Sequence, residues 1–455
     1  MESITFFLDQ LRVWIWSTPL LLFLVGSGIY MTFLLRGVQF RYCGYALKQV
    51  VAKKSEDAKG DISHFEALMT SLAGAIGTGN IVGVTTAITI GGFGSLFWMW
   101  VTAFFGMAVK YAESLLAVKY REVDQRGEMI GGPMEYIEKG VGWKWMAILF
   151  AILGFLSTIG TGNMIQVNSI ADAVESIWQV DPWITGVVLA ILTGMVVLGG
   201  VKSIGHVAGV LVPIMALFYL IGGVSILLLN FDRIPEAFGM IITSAFSGQA
   251  AVGGFTGATV MMAIQMGVSR GILTNEAGLG ISSIAAAAAQ TDQPGRQAMI
   301  TMTGALFSTL IVCTITGLVL AVTGVVGTVD SSGRLLNGAS LAIHAFNSSF
   351  EGGGYIVTIG LILFAFSTVI AWAYYGEKCV EYIFGERSIF LYRIFFCLIV
   401  IPGAALEIET AWYIADISNG LMVIPNLIAL ILLSKVIVKE TNQFLEVVKQ
   451  ESKSE

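Results

Sequence analysis

The sequence has few charged residues, few histidines and few cysteines. Charged side chains make up 12% of its 455 residues and hydrophobic ones 56%, whereas a soluble domain has roughly 25% charged residues. A soluble globular protein is therefore excluded. The three histidines, His64, His206 and His344, lie far apart at predicted loop edges, so neither a metal triad nor a proton relay is indicated.

The cysteines are scattered and form no CxxC pair, which argues against a disulfide framework or a zinc site. They are Cys43, Cys313, Cys379 and Cys397. The sequence also lacks an HExxH motif and a Ser/His or paired-Asp constellation at membrane depth, so we expect no intramembrane enzyme. Repeated filter loops and rings of like charge are missing as well, which argues against a channel. With a formal charge of −6, nucleic acid is not an expected partner.

Long apolar runs are what the sequence has instead. Each is about 20 residues long, enough to cross a hydrocarbon core as a helix, so we predict an all-α membrane protein with about eleven transmembrane helices. The first run begins near Thr18, follows an acidic and polar start, and is predicted to be a retained helix. The others begin near Phe65, Ser95, Trp145, Trp183, Gly205, Ala251, Ala298, Gly354, Phe390 and Thr410.

Basic residues are concentrated in the loops after the first and third helices, which predicts that these loops are cytoplasmic. They contain Arg36, Arg41, Lys48, Lys53, Lys54 and Lys59, and Lys119, Arg121, Arg126, Lys139 and Lys144. Alternation from there leaves Arg12, Arg233 and Arg334 outside. It places Lys202, Arg270, Arg296, Lys378, Arg387, Lys435 and Lys439 inside. We therefore predict a multi-pass plasma-membrane protein with its N-terminus outside and its C-terminus in the cytoplasm.

Without the first helix, ten helices remain, and they divide into two sets of five with opposite topology. This arrangement is the inverted repeat of secondary transporters, in which the first helix of each half is broken at the midplane. The predicted segments are 1–60 (extra helix and loop), 61–230 (first repeat), 231–438 (second repeat) and 439–455 (cytoplasmic tail).

The stretch "GAIGTGNIVG", residues 74–83, allows three interpretations. A phosphate-binding loop requires GxGxxG between a strand and a helix, but the third glycine comes one residue late. Close helix packing through small residues explains Gly79 and Gly83 but leaves Thr78 and Asn80 unexplained. A broken helix accounts for more, because its freed N–H and C=O groups must be satisfied in hydrocarbon. A half-helix start suits a carboxylate, and freed carbonyls suit a hard cation such as Na⁺.

The sequence contains three notable stretches, "GAIGTGN", "GGFGSLFWMWVTAFFGMAVKYAE" (Gly91 to Glu113) and "RGILTNEAGLG" (Arg270 to Gly280). These three motifs resemble those of the alanine or glycine:cation symporters. The resemblance implies a leucine-transporter fold with a site between two broken helices. In that fold the first broken helix reads "AVGLGN", to which "AIGTGN" at 75–80 is similar.

Several site residues follow from this resemblance. The amides of Thr78 and Gly79 are expected to hold the substrate carboxylate. Asn80 aligns with a sodium-ligating Asn of the relatives and is predicted to be part of the substrate site. The expected sodium ligands are Ala73, Ile76, Phe364, Ser367 and Thr368.

Other candidates come from polar residues within spans. Asn163 and Gln166 share a helix face and could bind the substrate ammonium or bond between helices; we favour Gln166 for the substrate. We place the second break at Gln265, Met266 and Gly267, where half-helix carbonyls could meet the ammonium. Three bulky residues could exclude larger substrates: Trp372, Met266 and Phe255, although a membrane Trp can also be an interface anchor.

Ionisable residues inside spans are functional candidates by default. Asp416 could gate the outer side or cap its helix, and Glu276 could gate the inner side or anchor a loop. Lys110 and Glu113, three residues apart, are expected to form a structural pair.

The sequence thus predicts a secondary transporter that couples Na⁺ to alanine, and to glycine, by alternating access, without a cofactor. A proton-coupled or broader small neutral amino-acid transporter is the alternative.

Overall fold

The computed structural model describes residues 2–51, 59–247, 259–329, 333–406 and 409–454. Four helices precede the repeats: α1 (Glu2–Ile15), α2 (Thr18–Leu34), α3 (Val38–Arg41) and α4 (Cys43–Val50). Helix α2 is the predicted extra span. Helix α1 was not predicted, and it packs against the last span of the second repeat.

The first repeat contains five spans, of which the first is broken. This span is formed by α5 (His64–Ala75) and α6 (Val82–Gly91), joined through a 3₁₀ turn at Thr78–Asn80. It is followed by α7 (Gly94–Lys119), by α8 (Pro133–Glu135) before the third span, by α9 (Lys144–Ser157) continuing into α10 (Ile165–Trp178), by α11 (Pro182–Val197) and by α12 (Gly200–Leu229). Strands β1 (Glu122–Val123) and β2 (Met129–Ile130) form a hairpin after α7.

The second repeat has the same order of spans. Its broken span comprises α14 (Val260–Asn275) and α15 (Ser283–Ala287), and α13 (Ile234–Ser247) connects the two repeats. The spans that follow are α16 (Pro294–Ala305) with α17 (Thr314–Thr323), then α19 (Gly354–Phe384), α20 (Ser388–Ala405) and α21 (Glu409–Leu432). Helix α18 (Gly338–Ser349) precedes α19, and α22 (Ser434–Ser454) ends the chain.

The number of spans agrees with the sequence prediction. Eight helices of the described part of the chain are long and apolar enough to cross a membrane, with α1 and α2 counted together. The two broken spans and α11, which is 16 residues long, bring the total to eleven.

Local signals explain where several of these helices begin. The side chain of Ser63 accepts a hydrogen bond from the Glu66 amide, and the Glu66 carboxylate accepts one from the Ser63 amide. This capping box satisfies donors that the first turn of α5 leaves open. The side chains of Asp181 and Thr259 cap α11 and α14 by accepting hydrogen bonds from the Trp183 and Met262 amides.

One prediction about the second broken span is wrong. Gln265, Met266 and Gly267 lie inside the continuous helix α14, and the chain leaves helical geometry only after Asn275. Glu276, Gly278 and Gly280 then adopt positive φ angles of 55°, 89° and 77°. Gly267 instead permits close packing, because a Cβ atom there would lie 2.4 Å from the Ser95 carbonyl oxygen.

Lys59 and Arg121, which belong to the two loops rich in Lys and Arg, lie together at one end of the molecule, which we call the basic face. There the segment before α5 pairs with the segment after α15: the Asp61 amide donates to the Ala288 carbonyl at 2.8 Å, and the Gln290 amide donates to the Ile62 carbonyl at 2.7 Å. Arg121 joins the same two segments by donating to the carbonyls of Ala287, Ala289 and Lys59 at 2.9, 2.7 and 2.9 Å. Both broken spans are therefore closed together at the basic face.

Arg121→Ala is expected to open this face, because it leaves these carbonyls without their charged donor. A hydrogen bond to a charged group contributes about 1.5–3 kcal/mol, or roughly a tenfold shift or more. The measurement is the labelling rate of an added Ile62→Cys by a thiol reagent that cannot cross the bilayer, and we expect it to rise at least about tenfold.

Arg126→Ala is the matched control for Arg121→Ala. Arg126 is exposed; it bonds Asp124 and Glu128 in its own hairpin and lies 3.7 Å from Glu381 of α19, without contacting the 59–62 or 288–291 segment. Pairs of an exposed side chain contribute at most about 1 kcal/mol. A larger opening by Arg126→Ala than by Arg121→Ala contradicts this account of the closure.

Candidate functional site

The first break holds its unusual geometry through Asn80. The Asn80 side chain accepts a hydrogen bond from the Gly77 amide at 3.0 Å and donates to the Ser308 carbonyl at 3.0 Å. Thr316 donates to the Asn80 carbonyl at 2.9 Å. These contacts satisfy backbone groups that a broken helix exposes. The Asn80 side chain therefore bonds the backbone of the break and of the neighbouring span, and it does not line the cavity described below.

Five oxygen atoms converge at the end of α5. The Thr368 hydroxyl lies 2.9 Å from the Ala73 carbonyl oxygen, 3.4 Å from that of Ile76 and 3.0 Å from that of Phe364. The Ser367 hydroxyl lies 3.4 Å from the Ala73 oxygen and 2.8 Å from that of Phe364. Ser367 and Thr368 are buried. The structure therefore brings together all five residues predicted as sodium ligands.

This oxygen cluster suits a monovalent hard cation. The Ala73 and Ile76 carbonyls lie at the C-terminal end of α5, where the helix dipole is negative, and each hydroxyl can turn its lone pairs inward when its hydrogen rotates away. All the groups are neutral at physiological pH, so a bound cation supplies the charge that the cluster lacks.

A cavity of about 90 Å³ adjoins the oxygen cluster on the side away from the basic face. Such a volume has room for several water molecules. It is lined by residues of both breaks and of α10, α14, α19 and α21: Gly74, Ala75, Gly77, Thr78, Gly79, Val82, Gly83, Thr86, Thr161, Ile165, Gln166, Arg270, Leu273, Leu279, Thr368, Trp372, Trp412, Asp416 and Asn419. Thr368 is shared with the cation cluster, so the two sites are in direct contact.

The amide of Thr78 points to the side chain of Gln166. The Thr78 N–H donates to Gln166 Oε1 at 3.3 Å, and Gln166 Nε2 donates to the Thr161 carbonyl at 3.0 Å. Thr161 belongs to a π-helical stretch, Thr158–Met164, between α9 and α10. Widened turns of this kind are frequent at functional sites.

Trp372 forms one wall of the cavity. The Trp372 indole N–H donates to the Gly74 carbonyl at 3.3 Å. A Cβ atom on Gly162 would lie 2.3 Å from the Cβ atom of Trp372, so only glycine fits beside this tryptophan. Of the other two predicted bulky residues, Met266 does not line this cavity, and Phe255 lies outside the described residues.

Gln265 and Met266 line a second, smaller space next to α1. They share it with Arg12, Trp16, Arg270 and Asp416. Asp416 lies 3.8 Å from Arg12, and the Trp16 indole donates to the Asp416 carbonyl at 2.9 Å. Because Asp416 lines both spaces, α1 lies next to the cavity at the end away from the basic face.

The side chains of Asn163 and Gln166 point in different directions. Asn163 donates to the Phe396 carbonyl at 2.9 Å, an interhelical bond, whereas Gln166 faces the cavity. Arg270, which the sequence places on the cytoplasmic side, lies within α14 and lines the cavity. Sequence reasoning also missed Thr161 and Trp412, and for Arg270 the signal was available: a single Arg within an apolar helix is a functional candidate.

The second break is satisfied by the buried ionisable residues of α7. Lys110 donates to the Asn275 carbonyl at 2.7 Å, and the Glu113 carboxylate accepts from the Gly278 amide at 2.9 Å and from Asn426 at 2.6 Å. Lys110 and Glu113, three residues apart on α7, thus satisfy backbone groups that the break between α14 and α15 exposes.

Comparisons with known proteins agree with this geometry. A model of the sodium:alanine symporter family matches residues 1–455. The chain is 52% identical to the sodium/alanine symporter AgcS of Methanococcus maripaludis, over 98% of each chain. It is 48% identical to an uncharacterized transporter of Haemophilus influenzae, over 98% of this chain and 96% of the relative.

The solved structure of MhsT in complex with L-phenylalanine shares the fold. It superposes with a TM-score of 0.57 at 13% identity and covers 85% of this chain and 99% of its own. This similarity shows the leucine-transporter fold. Together with the whole-chain family match, it shows that this multi-pass membrane protein is a transporter and not an enzyme, and that it belongs to the sodium:alanine symporter family.

Proposed function

We propose that the protein couples the inward movement of Na⁺ to the uptake of alanine, and of glycine, across the plasma membrane. The observation that carries the proposal is the contact between the five-oxygen cluster and the cavity at Thr368. A cation and an amino acid that bind on either side of one residue stabilise each other, and this mutual stabilisation is the basis of coupling.

Sodium is favoured over protons by the chemistry of the cluster. Its members are the carbonyl oxygens of Ala73, Ile76 and Phe364 and the hydroxyls of Ser367 and Thr368. None of these groups binds a proton near neutral pH, so a proton cannot take the place of the cation at this position.

The amino-acid site is built around Thr78, Gly79 and Gln166. The substrate carboxylate takes the Thr78 and Gly79 amides at the start of the 3₁₀ turn, where N–H groups favour an anion. It displaces Gln166 Oε1 from its 3.3 Å contact with the Thr78 amide, and the freed oxygen accepts a hydrogen bond from the substrate ammonium. Trp372 closes the wall next to the short side chain, which favours alanine and glycine over larger amino acids.

Alternating access follows from the closure of the basic face. We propose that this face is cytoplasmic, in keeping with the positive-inside rule, with the N-terminus outside and the C-terminus inside. The cavity reaches toward Asp416 and α1 on the opposite side, so substrate and Na⁺ enter there. Separation of the 59–62 and 288–291 segments then releases both into the cytoplasm.

Binding measurements test the proposed function. Titration calorimetry of the purified protein with alanine is expected to give binding in NaCl and none in choline chloride, and glycine is expected to compete. Equal affinity for alanine in both salts removes the proposed coupling, and binding of leucine as tight as that of alanine removes the role of Trp372 in selectivity.

Gln166→Met is expected to weaken alanine binding by about tenfold or more while leaving the protein folded. Methionine has a similar size but cannot accept a hydrogen bond from the ammonium, and bonds to charged groups contribute about 1.5–3 kcal/mol. Asn163→Leu is the matched control, because Asn163 bonds the Phe396 carbonyl away from the cavity. Similar losses of alanine affinity in both variants argue against direct contact between Gln166 and the substrate.

A further inference from the structure

Three ionisable side chains lie buried at the second break, on the basic-face side of the cavity. They are Lys110 and Glu113 from α7 and Glu276 from the gap between α14 and α15, and each is at most 1% exposed. We call them the buried charge cluster. A Cβ atom on Gly74, which lines the cavity, would lie 3.2 Å from Glu276 Oε1. The cluster is thus separated from the substrate cavity by the α5 backbone.

The members of the cluster differ in their partners. Lys110 donates to the Asn275 carbonyl, and Glu113 Oε1 accepts from Gly278 and Asn426, whereas Glu113 Oε2 has no hydrogen-bond partner among the described residues. Neither carboxylate oxygen of Glu276 has a hydrogen-bond partner among the described residues. The adjacent Trp372 indole directs its N–H to the Gly74 carbonyl.

The charges of the cluster do not balance. One ammonium stands against two carboxylates, and the other titratable group facing Glu276 is the phenol of Tyr375 on α19, which is neutral. Helices α5 and α21 present Gly74 and Asn426, which do not titrate. An ionised carboxylate with no hydrogen bond in such an interior is strongly unfavourable, and such groups bind a proton instead.

A metal cation fits this position less well than a proton. Na⁺ needs several convergent oxygens, but the Asn275 carbonyl already accepts from Lys110 and Glu113 Oε1 already accepts two bonds. A single proton on Glu276 neutralises the cluster without any further ligand.

We propose that Glu276 is a proton-binding site that must be loaded for the basic face to close. Opening of the basic face lets water reach Glu276, and the proton is lost to that side. The carrier closes again only after Glu276 takes up a proton from the same side. The proton therefore sets the rate of the cycle and is not carried across the membrane. The inference rests on the proposed function, because it assigns a step of the same transport cycle.

The experiment is alanine exchange in liposomes that contain the full-length protein, with equal Na⁺, alanine and pH on both sides. For the parent protein, we expect the exchange rate to fall with rising pH, approaching about tenfold per pH unit once Glu276 ionises. Glu276→Gln, which mimics the protonated side chain, is expected to exchange alanine at a rate that no longer depends on pH. Glu446→Gln on the exposed face of α22 is the matched control and is expected to keep the parent profile.

Three results overturn the proposal. The first is a flat pH profile for the parent, and the second is a parent-like pH dependence in Glu276→Gln. The third is loss of exchange in Glu276→Gln while its Na⁺-dependent alanine binding is normal, since a neutral side chain should permit closure. If Glu276→Gln does not bind alanine, the pH dependence of alanine exchange by the parent protein tests the proposal, and a flat profile overturns it. Absence of alanine exchange in the parent at every pH instead contradicts the proposed function.

Discussion

Thr368→Val is expected to raise the Na⁺ concentration needed for half-maximal alanine uptake by about 10- to 100-fold. Valine keeps the shape of threonine but removes the hydroxyl that lies 2.9 Å from the Ala73 oxygen and 3.4 Å from that of Ile76. An interaction between a hydroxyl and a charged group contributes about 1.5–3 kcal/mol, which corresponds to this range. The measurement is the Na⁺ dependence of labelled-alanine uptake into liposomes.

Thr358→Val on the same helix is the matched control for Thr368→Val. Thr358 is also buried, and its hydroxyl donates to the Gly354 carbonyl at 3.1 Å within α19. It therefore tests the general cost of losing a threonine hydroxyl from this helix. An unchanged Na⁺ dependence in Thr368→Val, or an equal change in Thr358→Val, removes Thr368 from the cation site.

Gly77→Ala is expected to abolish both Na⁺ and alanine binding. A Cβ atom at Gly77 would lie 2.5 Å from Thr368 Oγ1 and 3.2 Å from Gln166 Oε1. It would therefore displace a cation ligand and a substrate ligand at once. Its φ of −132° is open to any residue, so the effect arises from this close approach and not from backbone strain. Calorimetry with alanine in NaCl measures the loss, for which we expect more than about 100-fold.

Gly83→Ala controls for the general effect of adding a methyl group to the broken span. The nearest atom to a Cβ at Gly83 is Arg270 Cδ, at 4.0 Å. Alanine binding within about threefold of the parent is expected, since ordinary contact costs little. Tight alanine binding by Gly77→Ala would contradict the placement of both ligands around this glycine.

The two breaks differ in how well the sequence predicts them. At the first break, Gly77 and Gly79 are interleaved with Thr78 and Asn80, and polar residues at membrane depth require partners. The local pattern was therefore sufficient to locate this break. At the second break, glycines occur both within α14 and directly after it. Only the residues that contact each glycine in the folded protein show whether it permits close helix packing or lies where the helix is broken.

Those neighbours are residues of α7. A Cβ at Gly271 would lie 2.1 Å from Thr102 Oγ1, so this glycine permits helices to approach, whereas Gly278 has a positive φ and donates to Glu113. The pairing of Lys110 and Glu113 with the second break is a tertiary contact, so periodicity within one segment could not reveal it. The position of α1 next to the cavity, at the end away from the basic face, is hidden for the same reason.

In the proposed mechanism, Na⁺ drives alanine through the site formed by the two breaks. The measurement is uptake of labelled alanine into liposomes under an inward Na⁺ gradient without a pH gradient, and under an inward proton gradient without Na⁺. We expect accumulation above equilibrium in the first case and none in the second. Accumulation that follows the proton gradient and ignores Na⁺ would contradict it.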